Sequence, residues 1–221
     1  MLAATVMNAP ASLLMAKMMW PDSTPDEPED EEVTEESRTF DVRQIRDEES
    51  ANVIDALGRG AMAGARIAVT VGALLIAFIA LIGLANAILG GVGGWFGADQ
   101  LTFQKLLGWA LSPLAWLLGV PWGEATQAGS YIGEKTVLNE FVAYASFGPH
   151  VGSLSPITVI VVTFALAGFA NFSSIAIQIG TIGSLAPERR AMVARLGLRA
   201  VLAGSLANFA NAAIAGLVAR R

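Results

Sequence analysis

Three long runs without charge are the feature that most constrains this chain of 221 residues. Residues 67–98, 141–187 and 200–219 contain no Asp, Glu, Lys or Arg. A helix that crosses a bilayer needs about 20 mostly apolar residues, and a soluble core that buried three such runs would leave almost no surface. Only 15% of the chain is charged, against roughly 25% in soluble domains. The sequence therefore predicts an all-α integral membrane protein.

Charge is concentrated in one segment. Residues 22–50 carry thirteen acidic and three basic side chains, a local net charge of −10. Such a composition buries too little apolar surface to fold, so we predict a disordered acidic loop at 21–50, dispensable for substrate binding. It is either a solvated tether or a regulatory or cation-recruiting segment. No basic patch with interleaved aromatic residues occurs, so we expect no nucleic-acid partner.

The chain offers little of the chemistry that enzymes use. It has no cysteine and one histidine, which excludes disulfides, thiolate metal sites and multi-histidine metal motifs. No nucleophile lies beside a base in the apolar runs, and no glycine-rich phosphate loop stands between a strand and a helix. We therefore expect no enzymatic activity and no cofactor.

The segments are assigned by apolar length and by polar interruptions. Residues 121–148 are too polar to face lipid and predict a re-entrant hairpin with its tip near 133–139, because charge at membrane depth is tolerated only inside protein or at a cavity. Polar residues interrupt 153–186, which predicts a broken transmembrane helix. The glycines at 90–94 predict a turn. The other elements are the end of a transmembrane helix at 1–20, an interfacial helix at 51–66, transmembrane helices at 67–92 and 196–219, and a membrane-boundary helix at 100–119, for which a full span is the alternative.

Arginine placement predicts the orientation. Positive charge concentrates in cytoplasmic loops, which places the loop at 187–195, with Arg189 and Arg190, on the inside. Arg59 and Arg66 flank the entry to the span at 67–92. Counting the predicted crossings places them on the same side, so the two clusters agree.

Glu140 is the leading candidate for a functional side chain. A charge at the bilayer centre costs about 2.5 to 3.5 kcal/mol on insertion scales, so such a residue usually faces a pathway or a partner. Two alternatives remain: a salt bridge with Lys135, or a position at the headgroup level, where the cost falls away.

A second candidate lies in the broken helix. Asn171, Ser174, Gln178 and Thr181 have the spacing of one helical face, and Gly168 offers a place to unwind. Discontinuous helices present free backbone groups and helix ends to substrates, whereas hydrogen bonds between helices are the alternative. Three polar residues of the last span are assigned to helix packing: Ser205, Asn208 and Asn211.

Several motifs resemble those of the concentrative nucleoside transporters. Residues 133–144 (GEKTVLNEFVAY) resemble the second re-entrant hairpin of that family, and residues 168–175 (GFANFSSI) its signature in the following broken helix. Residues 185–190 (LAPERR) and 196–200 (LGLRA) resemble the next loop and the final helix. Residues 6–11 (VMNAPA) resemble the end of a preceding helix. The resemblance covers essentially the whole chain in the right order.

The resemblance implies a homotrimeric importer of nucleosides in the cell inner (plasma) membrane, coupled to sodium or protons. In this family a transport domain with two hairpins and two broken helices moves against a scaffold. The matched Glu140 contacts the nucleoside on its ribose side, Asn171 and Ser174 also contact it, and Phe169 matches an aromatic residue near the pocket.

By the same resemblance, the chain is one half of an inverted-repeat transporter. The family's first hairpin, which reads much of the base, and its other broken helix, which helps form the cation site, are not in this sequence, so the cation site is expected mainly in the missing half. It is a truncated product, a fragment or one half of a split transporter, and the residues do not decide among these. The alternative function is a non-transporting membrane fragment that assembles only with full-length partners.

Overall fold

The structure is a computed structural model that describes residues 2–21, 51–95, 97–98, 100–185 and 187–220. The acidic loop expected at 21–50 lies outside these residues except for Pro21. In the described part of the chain all regular structure is helical, which confirms the all-α prediction. In chain order the helices are α1 (Leu2–Met19), α2 (Val53–Gly94), α3 (Phe103–Leu117), α4 (Trp122–Val137), α5 (Glu140–Phe147), α6 (Pro156–Leu166), α7 (Phe172–Leu185) and α8 (Arg190–Ala219), with 3-10 turns at Gly148–Ser153 and Pro187–Arg189.

The chain divides into two compact units. One comprises Asp22–Ala77, and the other comprises Met1–Pro21 with Phe78–Arg221. All candidate site residues belong to the second unit, which contains α1 and α3 to α8 and the C-terminal part of α2.

The helix α2 corrects two expectations. The interfacial helix at 51–66 and the span at 67–92 are one continuous helix, Val53–Gly94. The glycines at 90–94 lie in its last turn, and the chain turns only after it, where Gly97 has a φ of +72°. A helical glycine costs about 1 kcal/mol relative to alanine, which is less than a backbone group left unpaired in an apolar environment.

The loop expected at 187–195 is also corrected. A 3-10 turn, Pro187–Arg189, leads directly into α8, which begins at Arg190 rather than at 196. Arg190 and Arg195 are exposed on the start of this helix. Arginine is a good helix former, so positive charge in this segment does not require a loop.

By the length and composition of their described residues, α1 and α8 are long and apolar enough to cross a membrane, whereas Ile79–Gly94 at the end of α2 counts as a shorter apolar helix. A third crossing is possible if α3 and α4, which meet at 116°, form one bent span. The apolar run at 141–187 begins with most of α5 and the 3-10 turn at Gly148–Ser153. The rest of the run contains α6 with 11 residues and α7 with 14 residues, separated at 167–171. The discontinuous helix predicted at 153–186 is therefore present.

Small residues let α3 and α4 pack closely. A Cβ added to Gly129 would lie 2.8 Å from the carbonyl oxygen of Gly108, and one added to Gly133 would lie 2.6 Å from Cβ of Leu107. Such close approach is typical of helix contacts in membranes. Residues of α4 also belong to the buried core that α5, α6 and α8 form. This core includes Ile132, Phe147, Val162, Leu166 and Ala212.

Candidate functional site

The hairpin tip lies between α4 and α5. The first arm ends at Val137, and the second begins at Glu140. Asn139 has an extended backbone, and its side-chain oxygen accepts a hydrogen bond from Val142 N at 2.9 Å. This is an N-cap, which satisfies a backbone donor at the start of α5. Glu140 therefore occupies the first helical position, where the helix dipole favours a carboxylate.

The start of α7, after the break in the helix predicted at 153–186, is capped in the same way. The side-chain oxygen of Asn171 accepts hydrogen bonds from Ser174 N at 2.8 Å and from Ser173 Oγ at 2.7 Å. Asn171 thus lies just before α7, which begins at Phe172. A helix that restarts inside an apolar run needs such a cap, because its first N–H groups have no partner within the helix.

One of the two cap residues, Asn171, also bonds the carboxylate of Glu140. Asn171 Nδ2 donates a hydrogen bond to Glu140 Oε2 at 2.9 Å. Asn171 is fully buried, whereas Glu140 is partly exposed. The starts of α5 and α7 therefore converge on the carboxylate of Glu140, and both contribute the positive end of a helix dipole.

Ser174 and Phe169 complete the set of sequence-predicted site residues. Ser174 Oγ donates to the carbonyl oxygen of Asn171 at 2.7 Å, and Ser174 is buried. The ring of Phe169, two residues before Asn171, is 64% exposed. The structure therefore links Glu140, Asn171 and Ser174 by hydrogen bonds and places Phe169 on the irregular segment of the break. A partly exposed carboxylate can accept from hydroxyl groups, and an exposed phenyl face can pack against an apolar ring system.

The helical stripe expected from Asn171 onward is only partly present. Asn171 precedes the helix, so it acts as a cap rather than as a member of the helical face. Gln178 is exposed on α7, and the side chain of Thr181 lies outside those that the structure describes.

Lys135 makes no direct ion pair with Glu140, although the two charges attract each other. Its side chain is fully buried in α4, and its Nζ has no hydrogen-bond partner. The ammonium instead lies 5.8 Å from the centroid of the Phe209 ring, within the range of a cation–π interaction.

Two side chains that the sequence did not single out support the break. Tyr144 Oη in α5 donates to the carbonyl oxygen of Thr163 at 2.8 Å. Asn8 Nδ2 in α1 donates to the carbonyl oxygen of Ala167 at 3.1 Å. Asn211 Nδ2, which was assigned to packing, donates to Asn8 Oδ1 at 2.6 Å. Each contact joins residues far apart in sequence, so no local pattern indicates it.

A cavity of about 750 Å³ lies beside the break, between α1, α7 and α8. Phe169, Ser174, Gln178, Asn8 and Asn208 are among its lining residues. The amide nitrogen of Asn208 is buried without a hydrogen-bond partner. In the described part of the chain, no three His, Cys, Asp or Glu side chains form a metal-binding group.

A polar site built from a helical hairpin and a discontinuous helix within apolar runs is the arrangement of secondary transporters, whose substrate sites lie at such breaks. Fold and site thus match the architecture of membrane transporters. The family model described as the C-terminus of Na⁺-dependent nucleoside transporters matches residues 1–216, and the chain belongs to this family.

Individual relatives agree with this assignment. The chain is 53% identical over 219 residues to the uncharacterized transporter YutK of Bacillus subtilis, covering 98% of this chain and 52% of that protein. It is 41% identical to the nucleoside permease NupC of Helicobacter pylori, covering 98% of this chain and 50% of that protein. The chain thus spans about half the length of these two relatives.

Solved structures share the fold. A doubly substituted CNTnw in an outward-facing state superposes with a TM-score of 0.85 at 49% identity, over 99% of this chain and 50% of that one. CNTnw in an inward-facing, substrate-bound state gives a TM-score of 0.74 at 54% identity, over 78% of this chain and 43% of that one.

Proposed function

We propose that the protein imports nucleosides across the cytoplasmic membrane and that this chain supplies the C-terminal half of the transport domain. The hydrogen bond from Asn171 Nδ2 to Glu140 Oε2 carries the proposal. It joins the hairpin to the broken helix and leaves a partly exposed carboxylate at their junction. A carboxylate is well suited to accept hydrogen bonds from the hydroxyl groups of a ribose.

The neighbouring side chains support a nucleoside in particular. A nucleoside has a polar sugar and a flat, largely apolar base, and the site has a carboxylate bonded to Asn171 with an aromatic side chain two residues before that asparagine. Phe169, with its ring 64% exposed, offers a surface on which a base can pack. A relative that is 41% identical is named a nucleoside permease, which supports the same substrate class.

We further propose that a cation gradient drives import. The family description refers to Na⁺ dependence, which favours sodium over protons as the coupling ion. A homotrimer in the plasma membrane is the assembly that we propose, with a cation site formed mainly by residues outside this chain.

Uptake of tritiated uridine tests the proposal. The complete gene product is expressed in a bacterial strain that lacks nucleoside uptake, and uptake is compared in sodium and in choline buffer. We expect saturable uptake that depends on sodium and is abolished by Glu140→Ala. Protein that reaches the membrane and gives no uptake above the empty vector would contradict nucleoside import, and uptake that is equal in choline would contradict sodium coupling.

A further inference from the structure

We propose that Asn8 and Asn211 are positioning residues for the substrate site. They hold the end of α6 and thereby place Asn171 against Glu140. The proposal rests on the proposed function, because its main readout is nucleoside transport. It assigns a functional role to two asparagines, on α1 and α8, that do not contact the Glu140 carboxylate themselves.

The break creates a need for such residues. The last carbonyl groups of a helix have no partner within it, and an unpaired backbone group in an apolar environment is costly. At the end of α6, the carbonyl of Thr163 accepts from Tyr144 Oη at 2.8 Å, and that of Phe164 accepts from Ala167 N at 3.2 Å. The carbonyl of Ala167, the first residue beyond α6, accepts from Asn8 Nδ2 at 3.1 Å.

The side-chain amide of Asn8 is oriented by a second amide. Asn211 Nδ2 donates to Asn8 Oδ1 at 2.6 Å, and Asn211 is buried. With its oxygen occupied in this way, Asn8 can direct only its nitrogen toward Ala167. Asn211 therefore orients the side chain of Asn8, and Asn8 in turn bonds the backbone of the break.

The same face of α8 contacts the break a second time. Asn208 lies three residues before Asn211, which places both on one side of the helix. A Cβ added to Gly168 would overlap the side-chain amide of Asn208. The backbone at 167–168 thus has two contacts: Asn8 of α1 bonds the carbonyl of Ala167, and Asn208 of α8 packs against Gly168.

The position of Ala167 limits the positions that Asn171 can take. Only three residues separate them, and none is helical. A hydrogen bond such as that between Asn171 Nδ2 and Glu140 Oε2 weakens steeply when its length or angle changes. A shift of the break therefore changes how the carboxylate of Glu140 is presented, even though the shift begins at α1.

The test is the kinetics of tritiated uridine uptake by the complete gene product. Asn8→Asp keeps the size of the side chain and its acceptor for Asn211 but removes the N–H that bonds Ala167. We expect KM to rise severalfold, less than the factor of about ten or more for a fully buried unsatisfied group, because the bond between Asn8 and Ala167 is only partly buried, with Vmax per transporter in the membrane within about twofold. Asn211→Ala is expected to raise KM by a smaller factor, and the double variant is expected to be no worse than Asn8→Asp.

Ser205→Ala on α8 is the matched control, because Ser205 is a buried polar residue of the same helix, and its KM is expected to stay unchanged. A role in packing alone would lower Vmax or the amount of protein with KM unchanged, and that result for Asn8→Asp overturns the proposal. If Asn8→Asp does not reach the membrane, Asn211→Ala decides by the same criterion. Glu140→Gln is measured in parallel: if it raises KM and Asn8→Asp does not, only the positioning role fails. If Glu140→Gln leaves KM unchanged, the proposed substrate site fails instead.

A second readout does not depend on transport. Phe141 and Phe172, which follow Glu140 and Asn171, are 62% and 49% exposed, and the chain has no cysteine of its own. Cysteines introduced at both positions should be crosslinked rapidly by a short bismaleimide. We expect the rate to fall severalfold when Asn8→Asp is added and to stay the same when Ser205→Ala is added. An unchanged rate with Asn8→Asp overturns the proposal whether or not the protein transports nucleosides.

Discussion

Asn171 donates a hydrogen bond from Nδ2 to Glu140 Oε2 at 2.9 Å, while its Oδ1 accepts from Ser174 N at 2.8 Å. One buried side chain thus starts the second half of the broken helix and orients the carboxylate of the hairpin. The two tasks use different atoms of the amide, so substitutions can separate them.

Asn171→Ser should weaken nucleoside binding while it keeps the cap of α7. Serine is about as good an N-cap as asparagine, but its side chain is too short to reach Glu140. We expect nucleoside binding to weaken because the Glu140 carboxylate is no longer oriented, and stability to fall by about 1.5 to 3 kcal/mol for the lost hydrogen bond to a charged group. Asn171→Ala should also lose about 0.5 to 2 kcal/mol of stability, because the cap is gone. Equal melting temperatures for the two variants would contradict the capping role.

Gly168→Ala should destabilise the protein. A Cβ at this position would overlap the side chain of Asn208, whereas a Cβ at Gly180 in α7 would meet nothing within 4 Å. We expect Gly168→Ala to lower the melting temperature in detergent by several degrees and Gly180→Ala to leave it unchanged or raise it slightly. Melting temperatures equal to that of the wild type for both variants would contradict the close contact between the break and α8.

Glu124 should stabilise the start of α6. Its two carboxylate oxygens accept from Ser155 N at 3.0 Å and from Ser155 Oγ at 2.7 Å, and Ser155 is the N-cap residue of α6. Glu124→Ala removes both acceptors, and we expect a loss of about 1 to 3 kcal/mol. Thermal unfolding in detergent measures this, with Glu188→Ala, an exposed carboxylate, as the control. A loss no larger than that of the control would show that the contact does not matter for stability.

The start of α8 should face the cytoplasm. Arg190 and Arg195 lie on its first turns, and positive charge concentrates on the inner side of membranes. Met192, between them, is 39% exposed, so Met192→Cys provides a single reactive site in this cysteine-free chain. We expect an impermeant maleimide to label it only after the cells are permeabilised. Labelling in intact cells would reverse the orientation.

The hairpin and the break were predictable because polar residues interrupt apolar runs there. Glu140 and Asn171 are costly at membrane depth unless something pairs with them. Asn171 lies within the apolar run at 141–187 and Glu140 directly precedes this run, so both residues indicated a site. Local signals were also enough to place the hairpin tip, since the link at 138–139 falls within the predicted range of 133–139.

Other features could not be predicted because their causes are not local. The glycines at 90–94 suggest a turn in water, but an apolar environment favours continued backbone hydrogen bonding and α2 extends through them. Asn171 was expected on a helical face because its spacing matches one, whereas the helix starts one residue later. The pairing of Asn8 with Asn211 joins residues 203 positions apart, and no periodicity within either helix indicates it.

The most direct test of the central claim, that Glu140 and Asn171 form the nucleoside site, is isothermal titration of the complete gene product in detergent. Wild type, Glu140→Gln and Ser205→Ala are each titrated with uridine and with an analogue that lacks the contacted ribose hydroxyl. We expect Glu140→Gln to weaken uridine binding tenfold or more, Ser205→Ala to change it little, and the analogue to bind the wild type poorly and lose little further affinity on Glu140→Gln. Folded Glu140→Gln protein that binds uridine as tightly as the wild type would contradict the claim.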